Sequence, residues 1–163
     1  MPSYKTQFNG YSLEFSPFEP DKLAVATAQH FGIVGNGRQY ILEVNEEDNT
    51  ITKTHSFDTQ DGLYDCCWSE ENENHVLSVS GDGSCKLWDL EAVDNPYKSF
   101  EEHMQEVHSC DWNLSGNDTF VTCSWDNSIK VWSASQDQSL VTYDEHTYCV
   151  YSTIWNPTVH NTF

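Results

Sequence analysis

Tryptophans recur along this chain at a nearly constant interval, and this repeat limits its possible folds more than any other feature. Trp68, Trp112 and Trp155 lie 44 and 43 residues apart, and Trp88 and Trp132 lie 44 apart. Two further pairs keep the same spacing: Asp82 with Asp126, and His103 with His146. A period of this length indicates an array of similar structural units.

Each unit contains short runs of alternating apolar and polar residues separated by turn residues. In the third unit the runs are residues 107–112, 120–124 and 128–132. Alternation with a period of two predicts β-strands, and Asp82-Gly83 and Asp126-Asn127, which lie between runs, predict tight hairpin turns. Helical periodicity is almost absent, so we expect an all-β fold with about four short antiparallel strands in each unit.

The Trp88-Asp89 dipeptide, an aspartate six residues before Trp88 and Trp132, and an upstream histidine form a recognisable signature. By these residues the chain resembles the WD-repeat family, whose repeats of about 40–45 residues form the four-stranded blades of β-propellers. The resemblance implies a WD-repeat β-propeller, with about three and a half blades of a seven-bladed propeller present here. We expect one partial propeller over residues 1–163, with units at about 8–50, 57–97, 100–140 and an incomplete 143–163.

The resemblance also implies a hydrogen-bonded network that fixes each blade, because a buried aspartate at a turn must be paired and histidine, hydroxyl and indole groups can pair it. The expected members are Ser78, Asp82 and Trp88 in the second unit, His103, Thr122, Asp126 and Trp132 in the third, and His146 in the fourth. In the second unit Thr59 stands in the histidine position. Histidine, threonine and aspartate also occur in hydrolases, but no nucleophile elbow precedes a helix here, so the set indicates scaffolding.

The first unit departs most from the pattern. Phe15 stands for the first tryptophan, Asn36 for the hairpin aspartate and Leu42 for the second tryptophan. The glycines at 32, 35 and 37 are spaced as G-x-x-G-x-G, which differs from the dinucleotide-binding pattern, and no helix follows. We therefore expect them to serve a hairpin turn that requires positive φ.

Charge and composition exclude several classes of partner and site. The formal net charge of −19 disfavours nucleic acid and anionic membranes and favours a cationic peptide or a basic protein. No apolar segment is long enough to span a membrane, and MPSYKTQFNGYSLEF lacks the apolar region of a secretory signal. The six cysteines form no C-x-x-C pair and have no zinc-finger spacing, so we expect reduced, buried thiols. We expect no metal, no cofactor and no catalysis.

Longer segments carry a narrower resemblance, to the peroxin-7 family of WD-repeat receptors. These segments are ATAQHFGIVGNGR at 26–38, DGLYDCCWSE at 61–70, SGDGSCKLWD at 80–89, EHMQEVHSCDW at 102–112 and YSTIWNP at 151–157. The resemblance implies an import receptor that binds the N-terminal type-2 peroxisomal targeting signal of matrix proteins. It would act with an import coreceptor and docking proteins, and would cycle from the cytoplasm to the peroxisomal matrix without inserting into the membrane. The alternative is a generic WD-repeat adaptor in another complex, such as a ligase or chromatin complex.

In such a propeller the ligand would meet the face where the first strands begin and the hairpin turns gather. The predicted peptide-binding residues are Tyr11, Asp61, Tyr64, Glu106, His108, Trp125 and Tyr151. Gly62, Gly81 and Cys149 occupy equivalent positions in the repeat, which we call the repeat frame. Aromatic side chains offer large contact areas at low entropic cost, and the carboxylates of Asp61 and Glu106 can bind a guanidinium group. The type-2 signal of the family begins with Arg or Lys followed by Leu, Val or Ile; after five residues come His or Gln and then Leu or Ala. Its basic start suits the carboxylates and its apolar positions suit the aromatics.

Overall fold

The computed structural model describes residues 2–30, 35–92, 95–115 and 118–163, and in these ranges every regular element is a β-strand. The twelve strands form three antiparallel sheets, each of four strands in sequence order. The first sheet contains β1 (Asn9–Phe15), β2 (Lys22–Gln29), β3 (Asn36–Asn45) and β4 (Thr50–Thr59). The second contains β5 (Leu63–Trp68), β6 (His75–Ser80), β7 (Cys85–Asp89) and β8 (Lys98–Phe100). The third contains β9 (Val107–Trp112), β10 (Thr119–Ser124), β11 (Ile129–Ser133) and β12 (Val141–Tyr143). The all-β prediction is confirmed.

The hairpin turns follow the predicted chemistry in the second and third units. Gly83 has φ of 85° and Asn127 has φ of 69°, both in the left-handed region that glycine and asparagine adopt most readily. In the first unit residues 31–34, including Gly32, lie outside the described residues. At Gly35 and Gly37 the prediction of positive φ is wrong, because Gly83 is the one glycine in the described ranges with such a value.

The sheets pack against one another through apolar faces. β1 lies against β5 and β5 lies against β9, so the first strands of successive sheets are neighbours. Trp68 and Trp88 belong to the core between the first and second sheets, and Trp132 belongs to the core between the second and third. All three are at most 2% exposed. Burial of such large side chains supplies much of the free energy that holds the sheets together.

The two ends of the array differ from its middle. Phe15, in the position of the first tryptophan, is 54% exposed, whereas Trp68 in the same position is 1% exposed. After Tyr143 the described residues contain no strand, whereas about four strands are predicted for a complete unit. A strand needs a hydrogen-bonded neighbour, and this segment instead packs Val150 and Trp155 against Val121 and other residues of the third sheet.

Two further features concern the chemistry of the chain as a whole. All six cysteines are described and none forms a disulfide; five are buried and Cys149 is exposed. The described residues contain no helix with the length and apolar character needed to cross a membrane.

Candidate peptide-binding site

The third sheet contains a continuous hydrogen-bonded chain from its core to its hairpin turn. The indole Nε1 of Trp132 donates to Thr122 Oγ1 at 2.9 Å, and this oxygen lies 2.8 Å from Nε2 of His103. Nδ1 of His103 lies 2.8 Å from Oδ2 of Asp126. An indole can only donate, so the chain is consistent with Thr122 donating to Nε2 and with Nδ1–H donating to the carboxylate.

The charge states support this direction of donation. Burial lowers the pKa of His103, against an opposing effect of Asp126, and so favours a neutral imidazole. Burial alone would raise the pKa of Asp126, but hydrogen bonds from Ser128, the Met104 backbone and His103 bring it to about 2. Near neutral pH the carboxylate is therefore ionised and held at the turn. This arrangement fixes the hairpin between β10 and β11.

In the second sheet the corresponding chain is interrupted. Trp88 Nε1 donates to Ser78 Oγ at 2.8 Å, but Thr59, in the histidine position, donates to the backbone oxygen of Asp61 at 2.7 Å. Asp82 accepts from Ser84 Oγ at 2.5 Å, as Asp126 does from Ser128 Oγ at 2.7 Å, but it has Lys86 Nζ at 3.3 Å where Asp126 has the imidazole. Its side chain is 35% exposed, compared with 9% for Asp126. His146 of the fourth unit is exposed, so the structure does not bring it into such a network.

The structure brings the five predicted aromatic residues together in one row, which we call the aromatic row. Its members, in spatial order, are Tyr11, Tyr64, His108, Trp125 and Tyr151. Tyr64 stacks on His108 with ring centroids 4.5 Å apart, and His108 stacks on Trp125 at the same distance. Tyr11 meets Tyr64 edge-on at 5.6 Å, and Tyr151 meets Trp125 edge-on at 5.8 Å. The row therefore extends from β1 to the segment that follows the third sheet.

Backbone hydrogen bonds hold the row to the sheets. Gly81 N–H donates to Gly62 O at 2.9 Å, and Trp125 N–H donates to Glu106 O at 3.0 Å. In both sheets the turn position is thus bonded to the start of the first strand, as the repeat frame implies. Tyr11 is 49% exposed and Tyr151 is 64% exposed, while the three central members are half-buried. The centre of the row is rigidly supported and its ends are open to solvent.

Two carboxylates flank the centre of the row. Burial raises the pKa of the Tyr64 phenol, and the nearby Asp61 and Glu106 raise it further, so both carboxylates act on this side chain. Burial lowers the pKa of His108 against a weaker opposing effect of Glu106, which favours a neutral ring at pH 7. The site therefore offers flat aromatic surfaces beside negative charge, and a guanidinium group can pair with such carboxylates while it stacks on a ring.

Asp61 is held in place by close contacts that sequence reasoning missed. Its Oδ1 accepts the backbone N–H of Gly62 at 2.7 Å. A Cβ at Gly35 would lie 2.0 Å from Asp61 Oδ1, and one at Gly81 would lie 3.2 Å from the same carboxylate. Glycine is needed at Gly35 because Asp61 occupies the space of a side chain there. No signal in the sequence marks this contact, because Asp61 lies 26 residues after Gly35 in the chain.

Trp125 contributes a donor that has no acceptor. Its Nε1 is buried and has no hydrogen-bond partner among the described residues. A buried, unpaired N–H group raises the free energy of the folded state. Of the remaining frame positions, Gly62 is buried and Cys149 is exposed.

Carboxylates on the first strands join adjacent sheets below the row. Glu14 Oε2 accepts Trp68 N–H at 2.7 Å, and the Glu14 backbone oxygen accepts Trp68 Nε1 at 3.1 Å. Asp111 makes the same pair of bonds to Trp155, at 2.6 and 3.1 Å. The Glu14 bonds tie β1 to β5, and the Asp111 bonds tie β9 to the segment that follows the third sheet.

Comparison of the sequence with known proteins shows the family to which the chain is similar. The "WD domain, G-beta repeat" family matches residues 49–89 and 94–133. A "Peroxisomal targeting signal 2 receptor" of Dictyostelium discoideum is 61% identical over 141 residues, which cover 85% of this chain and 44% of the relative. "Peroxisome biogenesis protein 7" of Arabidopsis thaliana is 47% identical, with 86% and 45% covered.

A human "Peroxisomal targeting signal 2 receptor" is 44% identical over 156 residues, which cover 95% of this chain and 48% of the relative. The chain thus spans about half the length of the curated relatives that it matches. The family match and the three four-stranded sheets agree, because WD repeats form four-stranded blades. The chain therefore belongs to the WD-repeat family, and within that family it is similar to the peroxisomal targeting signal 2 receptors over about half of their length.

Proposed function

We propose that this chain carries part of the peptide-binding face of an import receptor for the type-2 peroxisomal targeting signal. The observation that carries the proposal is the aromatic row with Asp61 and Glu106 beside its centre. The names of the relatives support the same role, since they are called receptors for this signal or a peroxisome biogenesis protein.

The basic first residue of the signal would lie between the two carboxylates. A guanidinium group there gains charge-assisted hydrogen bonds, and stacking on Tyr64 or His108 partly excludes water from the pair. Partial exclusion of water makes such a pair worth more than one on an open surface. The apolar residues of the signal would contact the exposed ends of the row, at Tyr11 or Tyr151.

The same role includes delivery as well as recognition. The receptor would bind matrix proteins in the cytoplasm, act with an import coreceptor and docking proteins, and cycle to the peroxisomal matrix. This role requires binding without catalysis or cofactor, and involves neither nucleic acid nor insertion into a membrane. The competing role is that of a generic WD-repeat adaptor, which would not select this peptide.

A pull-down with an immobilised type-2 signal peptide tests the proposal. The chain should be retained by the peptide that begins with arginine and released when that arginine is replaced by glutamate. A scrambled peptide of the same composition is the control for net charge. Equal retention by all three peptides would contradict the proposal and favour the generic adaptor.

A further inference from the structure

β4 is an unusually long strand at the edge of its sheet. It has ten residues, whereas the last strands of the second and third sheets, β8 and β12, have three each. Among the described residues β4 pairs with β3 alone, so its other edge carries N–H and C=O groups that no strand uses. A free edge of this length is a template for a further strand.

A cavity of about 710 Å³ runs along this edge, between the first and second sheets. We call it the side groove; its lining includes residues 54–60, Asp82, Lys86, Trp88, Pro96 and Glu101. Phe57 stacks on Trp88 with ring centroids 4.7 Å apart, and both rings line the groove. The groove therefore combines a free backbone edge with an aromatic surface.

The missing histidine of the second unit explains why the groove is open beside Asp82. In the third sheet the imidazole of His103 fills the space between Thr122 and Asp126. In the second sheet the shorter Thr59 turns toward the Asp61 backbone, and Thr59, Asp82 and Trp88 all line the groove. Asp82 therefore faces the groove, whereas its counterpart Asp126 faces the imidazole of His103.

The charges of the lining favour a basic ligand. Among the described residues the groove is lined by the carboxylates of Asp58, Asp82 and Glu101 and by one lysine, Lys86, which lies 3.3 Å from Asp82. Asp58 also pairs with Arg38, but its side chain remains 69% exposed. Glu101 is exposed. Exposed carboxylates such as those of Asp58 and Glu101, placed along one side of an extended chain, attract basic side chains on alternate residues.

We propose that the side groove binds an extended, basic segment of a partner protein as a strand added to the free edge of β4. Backbone hydrogen bonds to β4 would supply affinity, and basic side chains directed at the exposed carboxylates of Asp58 and Glu101 would supply selectivity. This is a second surface, separate from the aromatic row, and does not depend on the type-2 signal.

An eight-residue peptide of alternating lysine and threonine, acetylated and amidated, is the probe for this site. Binding is followed by backbone amide shifts in the isotope-labelled chain, which should move at residues 54–60 and at Asp82. A peptide of the same sequence with methylated amides on alternate residues keeps its charge but cannot pair as a strand. It should bind roughly tenfold more weakly or not at all.

The protein variants separate this site from net charge and from the aromatic row. The double substitution Asp58→Lys and Glu101→Lys should weaken the unmethylated probe by roughly tenfold or more. Glu73→Lys, in the turn at the far end of β5, and Glu106→Lys, beside the aromatic row, should each change it by less than about twofold. Equal binding of the methylated probe, or shifts confined to the aromatic row, would overturn the proposal.

Discussion

The second and third sheets share one sequence frame but hold their hairpins differently. In the third, Trp132, Thr122, His103 and Asp126 form an unbroken chain of hydrogen bonds. In the second, the chain stops at Ser78, and the aspartate keeps only its serine bond and pairs with Lys86. The comparison teaches that the histidine decides whether the turn aspartate is buried in the scaffold or available at the surface. In the second unit, the threonine in the histidine position leaves Asp82 in the lining of the side groove.

A parallel difference separates the contacts between sheets. Glu14 and Asp111 each accept bonds from a tryptophan of the next unit. Between the second and third sheets Cys67 stands in the corresponding position, and Nε1 of Trp112 is buried without a partner among the described residues. At the middle junction Asp65 Oδ2 accepts Cys110 N–H at 3.0 Å, so this junction keeps a carboxylate bond but lacks the bond to an indole that the outer two have.

The largest expected effect is on the free energy of unfolding. It comes from removing the indole of Trp132, at the core end of the hydrogen-bonded chain in the third sheet. Trp132→Ala should lower the free energy of unfolding by about 3–5 kcal/mol, because a fully buried aromatic leaves a cavity. Urea denaturation measures this loss. Trp125→Ala, which truncates a half-buried ring of the aromatic row, should cost less than half as much. Equal costs would mean that Trp132 is not the anchor of its sheet.

Breaking the network at its histidine tests the comparison itself. His103→Ala leaves Thr122 and Asp126 without their shared partner and should cost about 2–4 kcal/mol. Thr59→Ala in the second sheet removes a single hydrogen bond and should cost about 1 kcal/mol or less. Both losses are measured by urea denaturation. If the two substitutions cost the same, the unbroken chain adds nothing to the third sheet.

The carboxylate at the first junction should make stability depend on pH. Burial raises the pKa of Glu14 from 4.5 to about 7, against the hydrogen bond from Trp68. The folded state thus favours the protonated acid, so its contribution is complete below pH 4.5 and is lost as the pH rises to 7. Burial also raises the pKa of Asp111, to about 6, and this acts in the same direction.

Glu14→Gln keeps an acceptor for Trp68 N–H and removes the titration. Relative to the unaltered chain it should gain on the order of 1–2 kcal/mol between pH 5 and pH 8, after allowance for solvent screening. Denaturation at several pH values measures this difference. Glu43→Gln, an exposed site on β3, is the control and should leave the pH dependence unchanged. A Glu14→Gln profile parallel to that of the unaltered chain would contradict the prediction.

The smallest expected effect is a difference in stability between two variants. Each variant replaces a tryptophan by phenylalanine at a different junction. Trp155→Phe removes the indole donor that bonds to the Asp111 backbone, whereas Trp112→Phe removes a donor without a partner in the part of the chain that the structure describes. Trp155→Phe should therefore cost about 1 kcal/mol more than Trp112→Phe, beyond the loss of ring area that both share. The difference is measured by urea denaturation. A larger cost at Trp112 would show that the middle junction holds a hydrogen bond there.

The repeat predicts the sheets because alternation and turn chemistry are local properties. The strands near 107–112 and 120–124, and the turns at Gly83 and Asn127, follow from residue types alone. The period also predicts which residues share a frame position, and the structure brings the aromatic members of that frame into one row. That these residues bind a peptide stays a prediction.

Other features depend on contacts between units and could not be read from one unit. Gly35 makes room for Asp61, which lies 26 residues later in the chain. The exposure of Phe15 and the absence of a described strand after Tyr143 reflect which neighbours a segment has, rather than its own alternation. The opening beside Asp82 arises from a threonine in an otherwise regular frame, and its consequence appears only when two sheets are compared.

A charge-reversal titration tests the proposed binding face most directly. Fluorescence anisotropy would measure binding of a type-2 signal peptide that begins with arginine, and of the same peptide with glutamate there. Glu106→Lys should weaken the arginine peptide by roughly tenfold or more and strengthen the glutamate peptide, while Glu73→Lys changes both by less than about twofold. Equal losses for the two substitutions, without recovery by the glutamate peptide, would show an effect of net charge and contradict the assigned site.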